Sequence, residues 1–123
     1  MTGFVGLINV AVIMRYEKLP AVYIIANMRN GTIYIGVTSA LWNRIASHKT
    51  KTLLGFSSKY DIALLVWYEY HCTMESAIRR EKQLKKWNRN WKLELIKKMN
   101  PKWRDLHDEI DYAGTLVEPK PHS

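Results

Sequence analysis

From Ala21 to Val37 the apolar and polar positions form two β-rich runs, 21–28 and 32–37, on either side of Asn30-Gly31. An Asn-Gly pair between such runs predicts a two-residue hairpin turn. That turn would pair Arg29 with Thr32, Asn27 with Tyr34, Ile25 with Gly36 and Tyr23 with Thr38. Because successive strand residues alternate faces, Tyr23, Ile25, Asn27, Tyr34 and Gly36 would then share one face. A loop longer or shorter by one residue would separate the two phenols, so this expectation depends on register. A second β-rich stretch, Ile62–Cys72, opens with an unbroken apolar run to Trp67 and alternates only over Tyr68–Tyr70. Such a run suits a strand buried on both faces, and the expectation is a central one.

Helical periodicity occupies most of the remainder. Thr38 and Ser39 offer N-cap chemistry, and Leu41, Arg44, Ile45 and His48 fall on one stripe, which predicts a helix from there to about His48. Half of that stripe is not apolar. Either Arg44 and His48 face a cleft and need partners, or Arg44 snorkels from the stripe edge and His48 is solvated at the helix end. Lys49–Tyr60, broken at Gly55, reads as a short helix or turn and then a loop. Thr73 is a good N-cap for a longer helix whose stripe runs Met74, Ala77, Ile78, Glu81, Leu84, with Trp87 and Trp91 continuing it. Glu81 stands where binary patterning expects an apolar residue. It requires a hydrogen-bond network, an ionic partner or a metal ion, unless it lies at the stripe edge and pairs with Lys85 at i+4. Asn88–Asn90 can divide the helix, Asn100-Pro101 ends its second part, and Trp103–Leu106 is expected to pack back on the core.

A chain of 123 residues makes one small domain, and 47% hydrophobic with 24% charged residues is an ordinary globular composition. The formal net charge of +8 directs attention to polyanions, nucleic acid first and an acidic membrane surface second. Basic residues concentrate between Glu75 and Arg104, where Arg79, Lys82 and Lys85 among others alternate with Trp87, Trp91 and Trp103. The cations read as phosphate contacts, with salt-dependent affinity, and the tryptophans as core. The charge is dispersed and no lipidation motif is present, which argues against a membrane-surface protein. The lone Cys72 excludes an intramolecular disulfide, no Cys/His spacing fits zinc, and a cytoplasmic location is expected. No Gly-rich phosphate loop, nucleophile motif or internal repeat is found. The apolar stretch 3–14 is too short to span a bilayer and lacks the features of a secretory signal. Residues 1–19 are expected to be an extension, of which 1–13 are dispensable if Met14 is the start, and in which Val10–Ile13 either adds a strand or packs poorly. Residues 108–123 read as an acidic segment and then a disordered tail.

Taken together, these residues resemble the GIY-YIG nuclease family in its small single-domain bacterial form, over about residues 20–107. Ala21-Val22-Tyr23 stands for the first signature element, with Ala21 in place of its glycine, and Tyr34-Ile35-Gly36 is the second. Arg44 follows at the family spacing with His48 one turn later. Glu81 lies in Ala77–Lys86, which is similar to the metal-binding helix, and Asn100–Leu106 is similar to the closing segment. The resemblance implies an α+β fold: a small antiparallel three-stranded sheet, the hairpin 21–37 plus a strand at about 62–72, flanked by helices. It also implies phosphodiester hydrolysis assisted by a single Mg²⁺ (or Mn²⁺) held by Glu81. Arg44 would neutralise phosphoryl oxygens, and Tyr23, beside Tyr34, would orient or deprotonate the attacking water. A phenol titrates near about 10, so Tyr23 as base needs a nearby cation. His48 or Lys59 would relay the proton. Gly36 would leave room for a backbone phosphate, and Lys59, Arg79, Lys82, Lys85 and Asn100 would bind substrate.

The expected activity is therefore a structure- or damage-directed DNA endonuclease that needs no obligate protein partner. The competing expectation is a nucleic-acid binding module that retains the fold without cleavage. The complete set Tyr23, Tyr34, Arg44 and Glu81 favours the enzyme, since a pure binder has no need to keep it together.

Overall fold

The computed structural model describes residues 19–53 and 64–110. In chain order the elements are strands β1 (Ala21–Ala26) and β2 (Ile33–Thr38), helix α1 (Leu41–Leu53), strand β3 (Leu64–Tyr70), helices α2 (Met74–Lys86) and α3 (Arg89–Met99), and a 3-10 turn at Leu106–Glu109. The sheet is three-stranded and antiparallel, the expected α+β arrangement. Lys59, the Gly55 break and the parts of the chain expected to form terminal extensions, 1–18 and 111–123, lie outside the described residues.

The strand order is β2-β1-β3, so β1 is central, whereas the apolar run at 62–72 was the expected centre. Every residue of β1 is buried. The apolar run of β3 has a different cause. Ile24 pairs with Trp67 but Ile25 pairs with Leu65, leaving Val66 as a bulged residue. The bulge turns both Val66 and Trp67 towards the same core, which cancels the alternation that an edge strand would otherwise show. The outer edge of β3 is also covered. Asn100 Nδ2 donates to the Val66 carbonyl at 3.2 Å, and the Leu65 N–H donates to Asp105 Oδ1 at 3.2 Å. Unpaired edge groups are thereby removed from solvent.

The hairpin closes differently from the expected two-residue turn. Tyr23 pairs with Gly36, Ile25 with Tyr34 and Ala26 with Ile33. Asn27 causes the difference, because its side-chain Oδ1 accepts the Thr32 N–H at 2.9 Å while its own N–H donates to the Thr32 carbonyl at 3.2 Å. This neck encloses the loop Met28–Gly31, in which Asn30 takes a left-handed φ of 58° and the Gly31 N–H donates to the Met28 carbonyl at 3.0 Å. Arg89, at the start of α3, donates Nη2 to the carbonyls of Asn30 at 3.0 Å and Gly31 at 2.7 Å, so the hairpin tip is tied to the helix. The pairing shifts by an even number of residues, and the two tyrosines therefore still share a face.

Each face of the sheet carries its own core. Val22, Ile24, Ala26 and Ile35 pack with Ala77 and Leu84 of α2 and Ile96 of α3. Tyr23, Ile25 and Tyr68 pack with Leu41 and Ile45 of α1 and with Leu106 and Ile110. Helix α1 continues to Leu53 rather than ending at about His48. An ion pair between Lys49 and Asp105 anchors its added turn, and Lys51 complements the C-terminal dipole. Thr73 caps the start of α2 as expected, accepting from the Ser76 N–H at 3.1 Å, and the expected break at 88–90 falls where Asn88 caps α3, accepting from the Trp91 N–H at 2.9 Å.

Beyond α3 the chain returns to the core through Trp103, buried and with a left-handed φ of 56°. That conformation costs a bulky residue about 1–2 kcal/mol. Asn100 holds it, accepting from the Arg104 N–H at 3.0 Å and donating to the Arg104 carbonyl at 2.8 Å as well as to Val66. Replacing Asn100 with Ala leaves buried backbone groups unmatched, and the expected loss of stability is about 2–4 kcal/mol. Urea unfolding at unchanged m-value would register it; a loss under about 0.5 kcal/mol would show that Asn100 is dispensable to the closing turn.

Candidate active site

Tyr23 and Gly36 are cross-strand partners, and their contact shapes the site. A Cβ at position 36 would overlap the Tyr23 hydroxyl and Cζ, so the ring lies directly across the glycine. This corrects one expectation: the space cleared by Gly36 is filled by the Tyr23 phenol and is not open to a phosphate. Tyr23 is 2% exposed, whereas Tyr34, opposite Ile25, is 47% exposed. The ribbon thus presents one phenol to solvent and buries the other beneath the same face.

Helix α1 brings in the cationic side. Leu41 and Ile45 are buried against that face and leave Arg44 exposed and His48 half-buried at its rim. The His48 ring lies 6.3 Å, centroid to centroid, from both the Tyr23 and the Tyr34 ring. Of the two readings open for this stripe, the structure gives His48 the cleft-facing one and Arg44 an exposed position. Helix α2 supplies the acid. Glu81 sits on the buried stripe between Ala77 and Leu84, its side chain 12% exposed, and pairs with Lys85 Nζ at 2.7 Å. Both alternatives for Glu81 therefore hold: it interrupts the apolar stripe and it pairs at i+4.

Burial and neighbouring charges shift the titration of these groups. Burial pushes the Tyr23 phenol up to about 12; Arg44 pulls it down, and Tyr34 and Glu81 raise it further. The attraction of Arg44 is thus outweighed, and the phenol is protonated at neutral pH. Burial, then Arg44 and Lys51, hold His48 below its ordinary value, so its imidazole is neutral there. The hydrogen bond from Lys85 to Glu81 raises the lysine, burial opposes it, and the charges of Glu81 and Tyr34 raise it further. Lys51 was absent from the expected site because the sequence pattern ended α1 too early to place it one turn beyond His48.

Other expected site residues lie elsewhere. Arg79 and Lys82 are exposed on α2 and line a groove with Gln83, Lys86 and Trp87. Asn100 is 1% exposed with its carboxamide bonded to backbone, which makes it a structural residue rather than a substrate contact. Ala21, in the place of the signature glycine, is a fully buried strand residue paired with Thr38 and Tyr70, where a methyl side chain is accommodated.

The basic α+β domain thus brings two phenols, a guanidinium, an imidazole and a carboxylate to one ribbon. The model of the GIY-YIG catalytic domain matches residues 19–94, well over half of the chain, and the chain belongs to the GIY-YIG family. Membership makes it an endonuclease-type domain whose substrate is nucleic acid. No curated protein and no solved structure matches the chain. Among the described residues, no helix is long and apolar enough to cross a membrane.

The raised phenol has a measurable consequence. A group whose pKa is higher folded than unfolded contributes stability below its unfolded value, about 10, and loses it as pH rises towards about 12. Tyr23→Phe should therefore flatten the alkaline stability profile by about 2–3 kcal/mol over that range. Denaturant midpoints at stepped alkaline pH test this; parallel profiles for the two proteins would contradict it.

Proposed function

We propose that this chain is a divalent-metal-dependent endonuclease that hydrolyses phosphodiester bonds in DNA. The observation that carries the reading is the clustering of Tyr23, Tyr34, Arg44, His48 and Glu81 around one end of the hairpin. The donor chemistry suits a single hard cation. Among the described residues no group of three or more His, Cys, Asp or Glu could chelate a metal. Glu81 offers one carboxylate, and Mg²⁺ accepts such a site because it keeps water and phosphate oxygens in most of its positions. When bound, the ion would polarise the scissile phosphate and neutralise charge on the leaving oxygen.

The protein's own groups divide the remaining work. Before substrate arrives, Lys85 neutralises Glu81. Arg44, exposed at the rim, offers its planar fork to the phosphoryl oxygens, a geometry a lysine does not reproduce. Tyr34 presents a solvent-accessible phenol as a donor to a phosphate oxygen or the attacking water. Tyr23, protonated up to about pH 12, acts by donating a hydrogen bond and by orienting that water. Proton acceptance falls to His48, neutral at physiological pH and beside both phenols. Lys82 and Arg79 would extend the phosphate contacts along α2. Branched or damaged DNA is the substrate class we favour. The exposed thiol of Cys72 suits a reducing, cytoplasmic setting.

The test is a cleavage panel of branched, nicked, damaged and single-stranded DNA with Mg²⁺ or Mn²⁺. Glu81→Ala and Arg44→Ala are expected to lose at least about a hundred-fold in rate while keeping the wild-type circular dichroism. Full activity in both variants, or binding by wild type without cleavage at any metal concentration, would overturn the proposal.

A further inference from the structure

The tryptophans of the basic segment do not share one fate. Trp103 is buried, as expected of core, but Trp91 is 58% exposed. Its indole stands edge-on to Trp87, with ring centroids 5.8 Å apart and planes at 88°. An indole exposed to that degree gains little from the core. The Trp91 main-chain N–H is bonded to the Asn88 cap at 2.9 Å, and Arg89 ties the start of α3 to the hairpin tip, so the backbone that carries the indole is anchored. Trp87 is fixed as well. The Arg80 guanidinium lies 5.5 Å from its ring centroid, held there by Glu69 at 3.1 Å and Gln83 at 2.7 Å.

Two grooves meet at Trp87. One is lined by Arg79, Lys82, Gln83 and Lys86, the other by Trp91, Glu94, Leu95 and Lys98. The combined surface is aromatic at its centre and cationic along its rim, with Glu94 as its one acidic member. Aromatic platforms flanked by cations are suited to unpaired bases, which stack on the ring while lysine and arginine follow the backbone phosphates. Duplex DNA offers phosphates to such a rim but keeps its base faces stacked internally.

We propose that the elbow between α2 and α3 is a single-strand binding surface, on which Trp91 stacks an unpaired base and Arg79, Lys82 and Lys86 contact the adjoining phosphates. This rests on the nucleic-acid reading of the active site and extends it, because it gives the substrate an unpaired segment beside the bond to be cut.

The test measures fluorescence anisotropy of labelled oligo-dT, oligo-U and a duplex of equal length with wild type, Trp91→Ala, Trp91→Phe and the double variant Lys82→Ala/Lys86→Ala. Trp91→Ala is expected to weaken binding of single strands about ten-fold or more and of duplex little, while Trp91→Phe keeps most of the affinity. The lysine pair should weaken both forms and lower the salt slope for single strands by about one to two. The oligo-dT and oligo-U arms show which strand chemistry the platform prefers. Unchanged single-strand binding in Trp91→Ala, or equal losses on single strands and duplex, would overturn the platform and leave the nuclease reading standing. A wild type that binds none of the three at low salt would overturn both.

Discussion

The closure of Tyr23 over Gly36 is the contact on which the site depends. It follows from antiparallel pairing in which partners face each other, and it works only because position 36 has no side chain. With the ring folded across the glycine, the phenol is buried against Leu41 and Ile45, which places α1 across that end of the ribbon. Arg44 and His48 come to the rim as a consequence. A larger residue at 36 would displace the ring, and with it the surface against which α1 is seated.

Burial then sets the chemistry. Of two phenols on one face, the covered one is pushed to a pKa of about 12 and the open one is left in contact with solvent. His48 is moved in the opposite direction, because desolvation and two neighbouring cations disfavour its charged form. At neutral pH the phenol is therefore protonated and the imidazole neutral. A fixed cation at Arg44 reduces the effect on Tyr23 without reversing it. Glu81 approaches from the helix on the other face of the sheet, so the site spans both layers and depends on the hairpin edge between them.

Much of this was legible in the chain, and the departures have physical causes. Parity in the hairpin survived although its register did not, since Asn27 closes the neck with its side chain and shifts every pair evenly. The unbroken apolar run at 62–67 pointed to a central strand, but a bulge at Val66 and cover on both faces produce the same pattern at an edge. The cap at Thr73 and the break at Asn88 are legible because both act locally. The end of α1 could not, because it is held by Asp105, far away in sequence. Glu81 was conspicuous as a carboxylate on an apolar stripe. Trp91, which its stripe position assigns to the core, is exposed for a related reason: stripe position does not reveal where the neighbouring layer ends.

The central claim is that one scissile phosphate is held between Arg44 and Glu81 beside the two phenols. The most direct measurement is a crystal structure of the protein with a short branched DNA and Ca²⁺, which shares the oxygen preference of Mg²⁺. The expected result is a backbone phosphate within about 3 Å of the Arg44 guanidinium, with the ion bridging that phosphate and Glu81. A complex in which Glu81 stays on Lys85 and the DNA passes the protein without a phosphate at Arg44 would contradict it.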